Sequence, residues 1–237
     1  MNKRLAEFKY MTFDIVGTLI DFERGMIDAL NEIAAEAGVT FDPEAMLGYY
    51  RAARYDANAD RFPDHLAKVY MAIAPKLGLP ADQAYAERWR SSAPNWPAFS
   101  DSAASLAKLA KTHRLIAMTN AQHWAFKYFE QKLDKPFYAA FTSDITGTEK
   151  PNPAFFHRVF DFVTSEGNTK DDILHVAQSQ YHDIGISRKL GMTNCWIERR
   201  HAQPGYGGTI EPAEFTAPDF HFTSMATFAD AVQASAM

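Results

Sequence analysis

The sequence contains a single cysteine among 237 residues, and it has no surplus of basic residues. One cysteine, Cys195, excludes an intramolecular disulfide framework and a zinc site built from several cysteines. Lysine and arginine total 24 against 29 aspartate and glutamate residues, which gives a net charge of −5. A mildly acidic chain lacks the basic surplus expected of a nucleic-acid binder, so we predict no nucleic-acid partner.

Long hydrophobic runs are also missing. The apolar stretches have the length of strands, and none approaches the roughly 20 residues that cross a bilayer. The first fourteen residues contain charges and no long apolar run that would mark a signal peptide. A single cysteine suits a reducing compartment. Together these absences predict a cytoplasmic protein with no membrane partner.

The sequence does contain an alternation of strand-like and helix-like segments. Hydrophobic residues make up 47% of the chain, an ordinary value for a globular protein that can bury a substantial core. Strands joined by helical segments form βαβ units, so we predict an α/β fold with a parallel sheet flanked by helices. The predicted strands lie at 8–14, 114–119, 138–142, 173–177, 193–198 and 219–223.

A helical block follows the first strand. Residues 24–37 carry apolar residues at helical spacing, and Gly38 stands where that helix is expected to end. Residues 43–93 show no strand pattern, so we predict several helices that are broken near prolines. Near the other end of the chain, residues 200–218 are rich in glycine and proline and are predicted to form a surface loop.

Four polar clusters lie at or just after the ends of predicted strands. Each cluster alone is typical of a turn. Ligands of an open parallel sheet bind beyond the carboxyl ends of its strands, so four clusters in this position predict one site. The clusters are Asp14 with Thr18, Thr119 with Asn120, Lys150, and residues 178–183.

The segments that contain these clusters carry a family resemblance. They read FDIVGTLID (13–21), MTNA (118–121), EKPNPAFF (149–156) and VAQSQYHDIGISRKLGM (176–192). In order and separation they resemble the motifs of the haloacid dehalogenase superfamily, and the likeness covers essentially the whole chain. The resemblance implies a Rossmann-like core formed by residues 1–19 and 96–237, and a helical cap domain inserted after the first strand at residues 20–95.

Two positions separate the branches of this superfamily. Its phosphatases generally carry a second aspartate two residues after the nucleophile, to protonate the leaving group, and this chain has Val16 there. They also carry an acid that helps to hold magnesium where this chain has Gln178. Halide leaves without a proton, and a carbon–halogen bond needs no metal. The resemblance therefore implies a metal-free and cofactor-free type II dehalogenase that converts short 2-haloacids into 2-hydroxy acids through an aspartyl ester.

The resemblance also implies a role for each matching residue. Asp14 would be the nucleophile, and Thr18 would shape its loop. Lys150 would pair with Asp14 and Asp183, and we expect its charge to keep the pKa of Asp14 low. Asp183 would position Lys150 or the hydrolytic water. Thr119 and Asn120 would help to hold the substrate carboxylate.

The cap residue that meets the departing halide is left open between two arginines. Arg51 is the better match, and Arg54, one helical turn further, is the competitor. Gln178 and Gln180 replace a serine and an asparagine of the family and would keep hydrogen bonds to water. His182 replaces a tryptophan and could titrate near neutral pH. Phe156 replaces a tyrosine.

Two other functions remain as alternatives. A magnesium-dependent small-molecule phosphatase of the same superfamily is the first. A non-enzymatic or regulatory protein is the second, although the intact set of Asp14, Lys150 and Asp183 argues against it. A homodimer is left open.

Overall fold

The computed structural model describes residues 3–56 and 60–236, and a six-stranded sheet lies at its centre. The strands are β1 (Tyr10–Phe13), β2 (Arg114–Thr119), β3 (Ala139–Thr142), β4 (Ile173–Ala177), β5 (Thr193–Ile197) and β6 (Phe220–Phe222). Each strand lies within a segment that the sequence predicted. Every pair of neighbouring strands is parallel, so the predicted parallel α/β fold is confirmed.

The strand order is β3-β2-β1-β4-β5-β6, the doubly wound order of a Rossmann fold. β1 lies between β2 and β4, and its last residue, Phe13, pairs with Ala117 and Val176. The residues that follow these three strands therefore emerge together at one edge of the sheet. A ligand of such a sheet binds at this edge, beside the point where the strand order reverses.

The helices begin and end at residues suited to those positions. In α1 (Phe22–Ala37), the side chain of Asp21 accepts a hydrogen bond from the Arg24 amide at 3.1 Å, and Gly38 ends the helix as predicted with φ of +67°. The others are α2 (Pro43–Asp56), α3 (Leu66–Ile73), α4 (Gln83–Arg90), α5 (Ser102–Leu109), α6 (His123–Lys132), α7 (Ser143–Thr146), α8 (Pro153–Ser165), α9 (Gly185–Lys189) and α10 (Met225–Ser235). None of the helices in these described ranges is long and apolar enough to cross a membrane.

Helices α1 to α4 form the predicted helical cap between β1 and α5. Its interior is aromatic: the ring of Trp89 lies 6.3 Å from that of Tyr50 and 6.1 Å from that of Tyr70. The two chain segments that enter and leave this cap lie side by side, and the Asp21 amide of one donates a hydrogen bond to the Pro97 carbonyl of the other at 2.8 Å. We call this pair of segments the neck. The neck lies beside the boundaries at 20 and 95, which themselves stay a prediction.

The segment between β5 and β6 differs from the predicted surface loop. Residues 207–210 are buried, although residues 201–205 are exposed. Gly208 donates its amide to Glu23 of α1 at 2.8 Å, and the Gly207 carbonyl accepts a hydrogen bond from Arg51 of α2. The loop thus ties the core to the cap, and we call residues 198–219 the β5–β6 loop.

Candidate active site

Asp14 comes directly after β1 and is 6% exposed. Its Oδ2 accepts a hydrogen bond from the Thr18 hydroxyl at 2.6 Å, and its Oδ1 accepts one from Lys150 at 2.9 Å. The Thr18 hydroxyl also accepts the amide of Gln178 at 2.9 Å. Gly17, at φ of +97°, supplies the left-handed backbone that the tight turn requires. The turn therefore holds the Asp14 carboxylate in one orientation.

Lys150 joins the two acids of the site. Its ammonium group donates to Asp14 Oδ1 at 2.9 Å, to Asp183 Oδ1 at 2.6 Å and to the Met118 carbonyl at 2.8 Å. These three bonds use all three of its protons. The Asn120 side chain holds the main chain of Lys150, accepting its amide at 2.7 Å and donating to its carbonyl at 2.9 Å. Asn120 thus contacts Lys150 from both ends of its amide group.

One cation shared by two buried carboxylates sets the ionisation of the site. Burial raises the pKa of Asp14 above its ordinary value, and the nearby charge of Asp183 adds to this rise, so the expectation of a low pKa is wrong. Burial also opposes ionisation of Asp183, but Lys150 and a bond from His175 lower its pKa to about 2. Burial opposes the charge of Lys150 as well, yet the two carboxylates raise its pKa.

A cavity of about 480 Å³, counted with its mouth, lies between the cap and this edge of the sheet. The cap contributes Phe22, Tyr50, Arg54 and Phe62 to its wall. The core contributes Asp14, Val16, Thr119, Asn120, Lys150, Gln178, His182 and Asp183.

A family match identifies the family to which this chain belongs. Residues 8–176 match the family described as haloacid dehalogenase-like hydrolase. The chain belongs to that family. No protein of curated function matches the sequence.

Solved structures of this family share the fold. The putative hydrolase YfnB from Bacillus subtilis, bound to magnesium, is 16% identical with a TM-score of 0.75, over 98% of this chain and 100% of that one. The L-2-haloacid dehalogenase from Xanthobacter autotrophicus is 17% identical with a TM-score of 0.74, over 95% and 98%. A structure of L-2-haloacid dehalogenase from Xanthobacter autotrophicus with chloropropionic acid covalently bound is 18% identical with a TM-score of 0.70, over 95% of this chain and 98% of that one. At these identities the likeness shows the fold.

The structure separates the two candidate arginines. Arg54 lines the cavity. Arg51 does not, because its guanidinium donates to the Gly207 carbonyl of the β5–β6 loop. The structure therefore places Arg54 at the cavity and Arg51 at the β5–β6 loop, and which of them meets the halide stays a prediction.

The two glutamines also differ in place. Gln178 lines the cavity, and its Oε1 accepts the Thr209 hydroxyl at 3.3 Å. Gln180 does not line it and accepts the Thr216 amide at 3.1 Å instead. Thr119 lines the cavity, and its hydroxyl accepts the Ala121 amide at 3.1 Å.

His182 also lines the cavity, and its Nδ1 lies 3.1 Å from the Ser179 hydroxyl. Desolvation, together with the charge of Arg54, lowers the pKa of His182 to about 3. The ring is therefore neutral at pH 7, and the expected titration near neutral pH is wrong. A neutral imidazole can exchange hydrogen bonds with a ligand without changing the charge of the cavity.

Three contributors to the cavity were missed from the sequence. Phe62 reaches the core, where its carbonyl accepts the Gln122 amide at 2.8 Å. Phe22 opens α1. Thr209 comes from the β5–β6 loop, and the only signal for it was the unusual length of that loop and its glycines. Among the described residues, no group of three or more His, Cys, Asp or Glu side chains is arranged to hold a metal ion.

Proposed function

We propose that the protein hydrolyses the carbon–halogen bond of short 2-haloacids, that Asp14 is the nucleophile, and that no metal ion takes part. The observation that carries the proposal is the ammonium group of Lys150, which lies 2.9 Å from Asp14 and 2.6 Å from Asp183. A cation between the two acids supplies the charge that a metal would otherwise supply. Val16, which has no proton to donate, lines the same cavity.

The first step is a displacement at carbon. An oxygen of Asp14 attacks C2 of the haloacid, a C–O bond forms, and the C–X electron pair leaves with the halide. The product is an ester of Asp14 and a halide ion. Arg54 is the cap residue whose positive charge faces this cavity, so it receives either the halide or the substrate carboxylate. Halide needs no proton to leave, which accords with Val16.

The second step returns the enzyme. Water attacks the carbonyl carbon of the ester, the bond between that carbon and the ester oxygen breaks, and a 2-hydroxy acid leaves. Asp183 takes one proton of the water and then passes it to solvent. The other proton moves from the tetrahedral intermediate to the departing alkoxide oxygen, which becomes the hydroxyl of the product, and Asp14 returns as a carboxylate. Oδ2 of Asp183 is buried and has no partner in the described part of the chain. One oxygen of Asp14 therefore ends in the product.

The experiment is halide release from a panel of 2-haloacids with and without EDTA. We expect release in both conditions, and inversion at C2. A single turnover in oxygen-18 water should place unlabelled oxygen in the product and the label in Asp14. Label that appears directly in the product would refute the ester, since water would then attack C2. The structure of the Xanthobacter autotrophicus enzyme with chloropropionic acid covalently bound supports a covalent intermediate in the proposed reaction.

A magnesium-dependent phosphatase is the second candidate, favoured by the likeness to the magnesium-bound Bacillus subtilis protein. It predicts hydrolysis of p-nitrophenyl phosphate that requires magnesium and stops in EDTA, with no halide release. The same two assays thus separate the candidates.

A further inference from the structure

His175 is a fully buried histidine that the steps above do not use. It lies on β4 directly opposite Thr12 of β1, and its Nδ1 is 2.8 Å from the Thr12 hydroxyl. Its Nε2 is 3.1 Å from Asp183 Oδ1. The ring of Phe156 packs edge-on against it at 5.5 Å. The imidazole therefore has one defined position, with a partner at each nitrogen.

The direction of the bond to Asp183 follows from the charge of that acid. An ionised carboxylate only accepts hydrogen bonds, so Nε2 of His175 carries the proton, whether the ring is neutral or charged. Thr12, bonded to Nδ1, fixes the ring orientation that aims this proton at Asp183. The arrangement resembles the support that a second group gives to a reactive one at many enzyme sites.

The two donors to Asp183 share one oxygen. Lys150 donates to Oδ1 at 2.6 Å and His175 donates to the same atom at 3.1 Å, whereas Oδ2 has no partner among the described residues. Two hydrogen bonds at one oxygen hold the carboxylate in one orientation. Without His175 the group could rotate about its Cβ–Cγ bond and offer Oδ2 to Lys150.

We propose that His175 is a positioning residue: it locks Asp183 so that Oδ1 serves Lys150 and Oδ2 stays free to accept a proton from water. The proton-accepting part of this inference rests on the proposed function. The lock itself does not, because it concerns only the orientation and the ionisation of Asp183.

A buried histidine could instead serve only to fill space, and two substitutions distinguish these roles. In His175→Gln the amide nitrogen can reach the place of Nε2, whereas in His175→Asn the same amide is one methylene too short. A role in packing alone would affect both variants alike. A positioning role would be rescued by glutamine only.

The kinetic test measures kcat and KM for halide release. We expect kcat of His175→Asn to fall about 10- to 100-fold, the effect of losing one hydrogen bond to a charged group, with KM changed less than about threefold. His175→Gln should stay within about threefold of the wild type. Equal losses in both variants, or wild-type kcat in both, would overturn the proposal.

A second measurement does not depend on turnover. Carbon-13 NMR follows the carboxylate of Asp183, whose titration we expect to move upward in His175→Asn and little in His175→Gln. The charged groups that hydrogen bonds connect to His175 are Asp183, Lys150 and Asp14. Asn194, which pairs with His175 on the neighbouring strand β5, is uncharged. An unchanged titration in His175→Asn would refute the lock, even if the wild type released no halide and the proposed function failed.

Thermal unfolding shows whether each variant is folded. If neither variant folds, Thr12→Val replaces them, because it removes the hydroxyl that orients the ring and keeps the shape of the side chain. It should raise the same titration midpoint and lower kcat by a smaller factor. Wild-type values for both quantities in Thr12→Val would then overturn the proposal.

Discussion

Replacing Lys150 with methionine should destabilise the protein strongly, because it leaves two buried carboxylates without their shared cation. The side chains of Lys150 and Asp183 are each 1% exposed, and that of Asp14 is 9% exposed. The Lys150 ammonium lies 2.9 Å from Asp14 and 2.6 Å from Asp183. At an effective dielectric constant of about 20, each of these contacts corresponds to about 6 kcal/mol of Coulomb attraction. Much of that attraction offsets the cost of burying the charges. Breaking a buried pair typically costs about 3–5 kcal/mol, and we expect this loss near pH 7.5.

The loss should depend on pH. Without the ammonium group, the pKa of both carboxyls rises above the value in the unfolded chain. A raised carboxyl pKa costs stability at pH values above it, and this cost disappears as the pH falls below the unfolded value near 4. The difference in unfolding free energy between Lys150→Met and the wild type should therefore shrink between pH 7.5 and pH 4.5.

Urea unfolding of both proteins at several pH values measures this difference. Lys108→Met is the matched control, since Lys108 forms an exposed ion pair with Asp230 at 2.8 Å. Exposed pairs contribute less than about 1 kcal/mol, so the control should be nearly as stable as the wild type. A deficit below about 1 kcal/mol in Lys150→Met at pH 7.5, or the same deficit at every pH, would refute the reasoning.

Three further outcomes concern activity. The acid limb of kcat/KM should have its midpoint above the ordinary aspartate value of about 3.9, because burial raises the pKa of Asp14; a midpoint at or below that value would contradict the assignment. Arg54→Ala should lower kcat/KM for halide release about 100-fold, and Arg51→Ala should lower it less than about 10-fold, since only Arg54 lines the cavity; the reverse ranking would restore Arg51. Gln178→Ala should favour longer 2-haloacids over chloroacetate, because Gln178 lines the active-site cavity and also two further cavities beside the β5–β6 loop. Gln203→Ala is the control and should leave this preference unchanged, because Gln203 lines only those two further cavities. An unchanged chain-length preference in Gln178→Ala would refute this.

The strands could be predicted because each is a short apolar run between turn-forming residues, and β2 and β4 begin and end where the pattern does. Two features of the helices could not. The segment that leads from β4 into α9 is a π-helix over Gln180–Ile184, and apolar spacing does not distinguish one extra residue in a turn. The short helix α7 has only four residues, too few to show a period.

The central residues of the site could be predicted because a parallel sheet brings the ends of its strands to one edge. Asp14 and Asp183 follow β1 and β4, and Lys150 reaches them from the segment before α8. The choice between Arg51 and Arg54 could not be made in this way, because it depends on how α2 is rotated and on the loop carbonyl that binds Arg51. The position of His175 could not be predicted for a similar reason, since only the register of β4 with β1 places it beside Thr12. The cytoplasmic location and the homodimer stay predictions.

The charges that line the cavity bear on which substrate it suits. Asp14 and Asp183 carry two negative charges, Lys150 and Arg54 carry two positive charges, and His182 is neutral at pH 7, so these groups sum to zero. A 2-haloacid brings this sum to −1 and places its carboxylate or the departing halide beside Arg54. A phosphate monoester brings the sum to −2, and this larger excess of negative charge would need a cation from solution. In the absence of magnesium, a monocarboxylate should therefore compete for this cavity better than inorganic phosphate does, and the reverse order would favour the phosphatase.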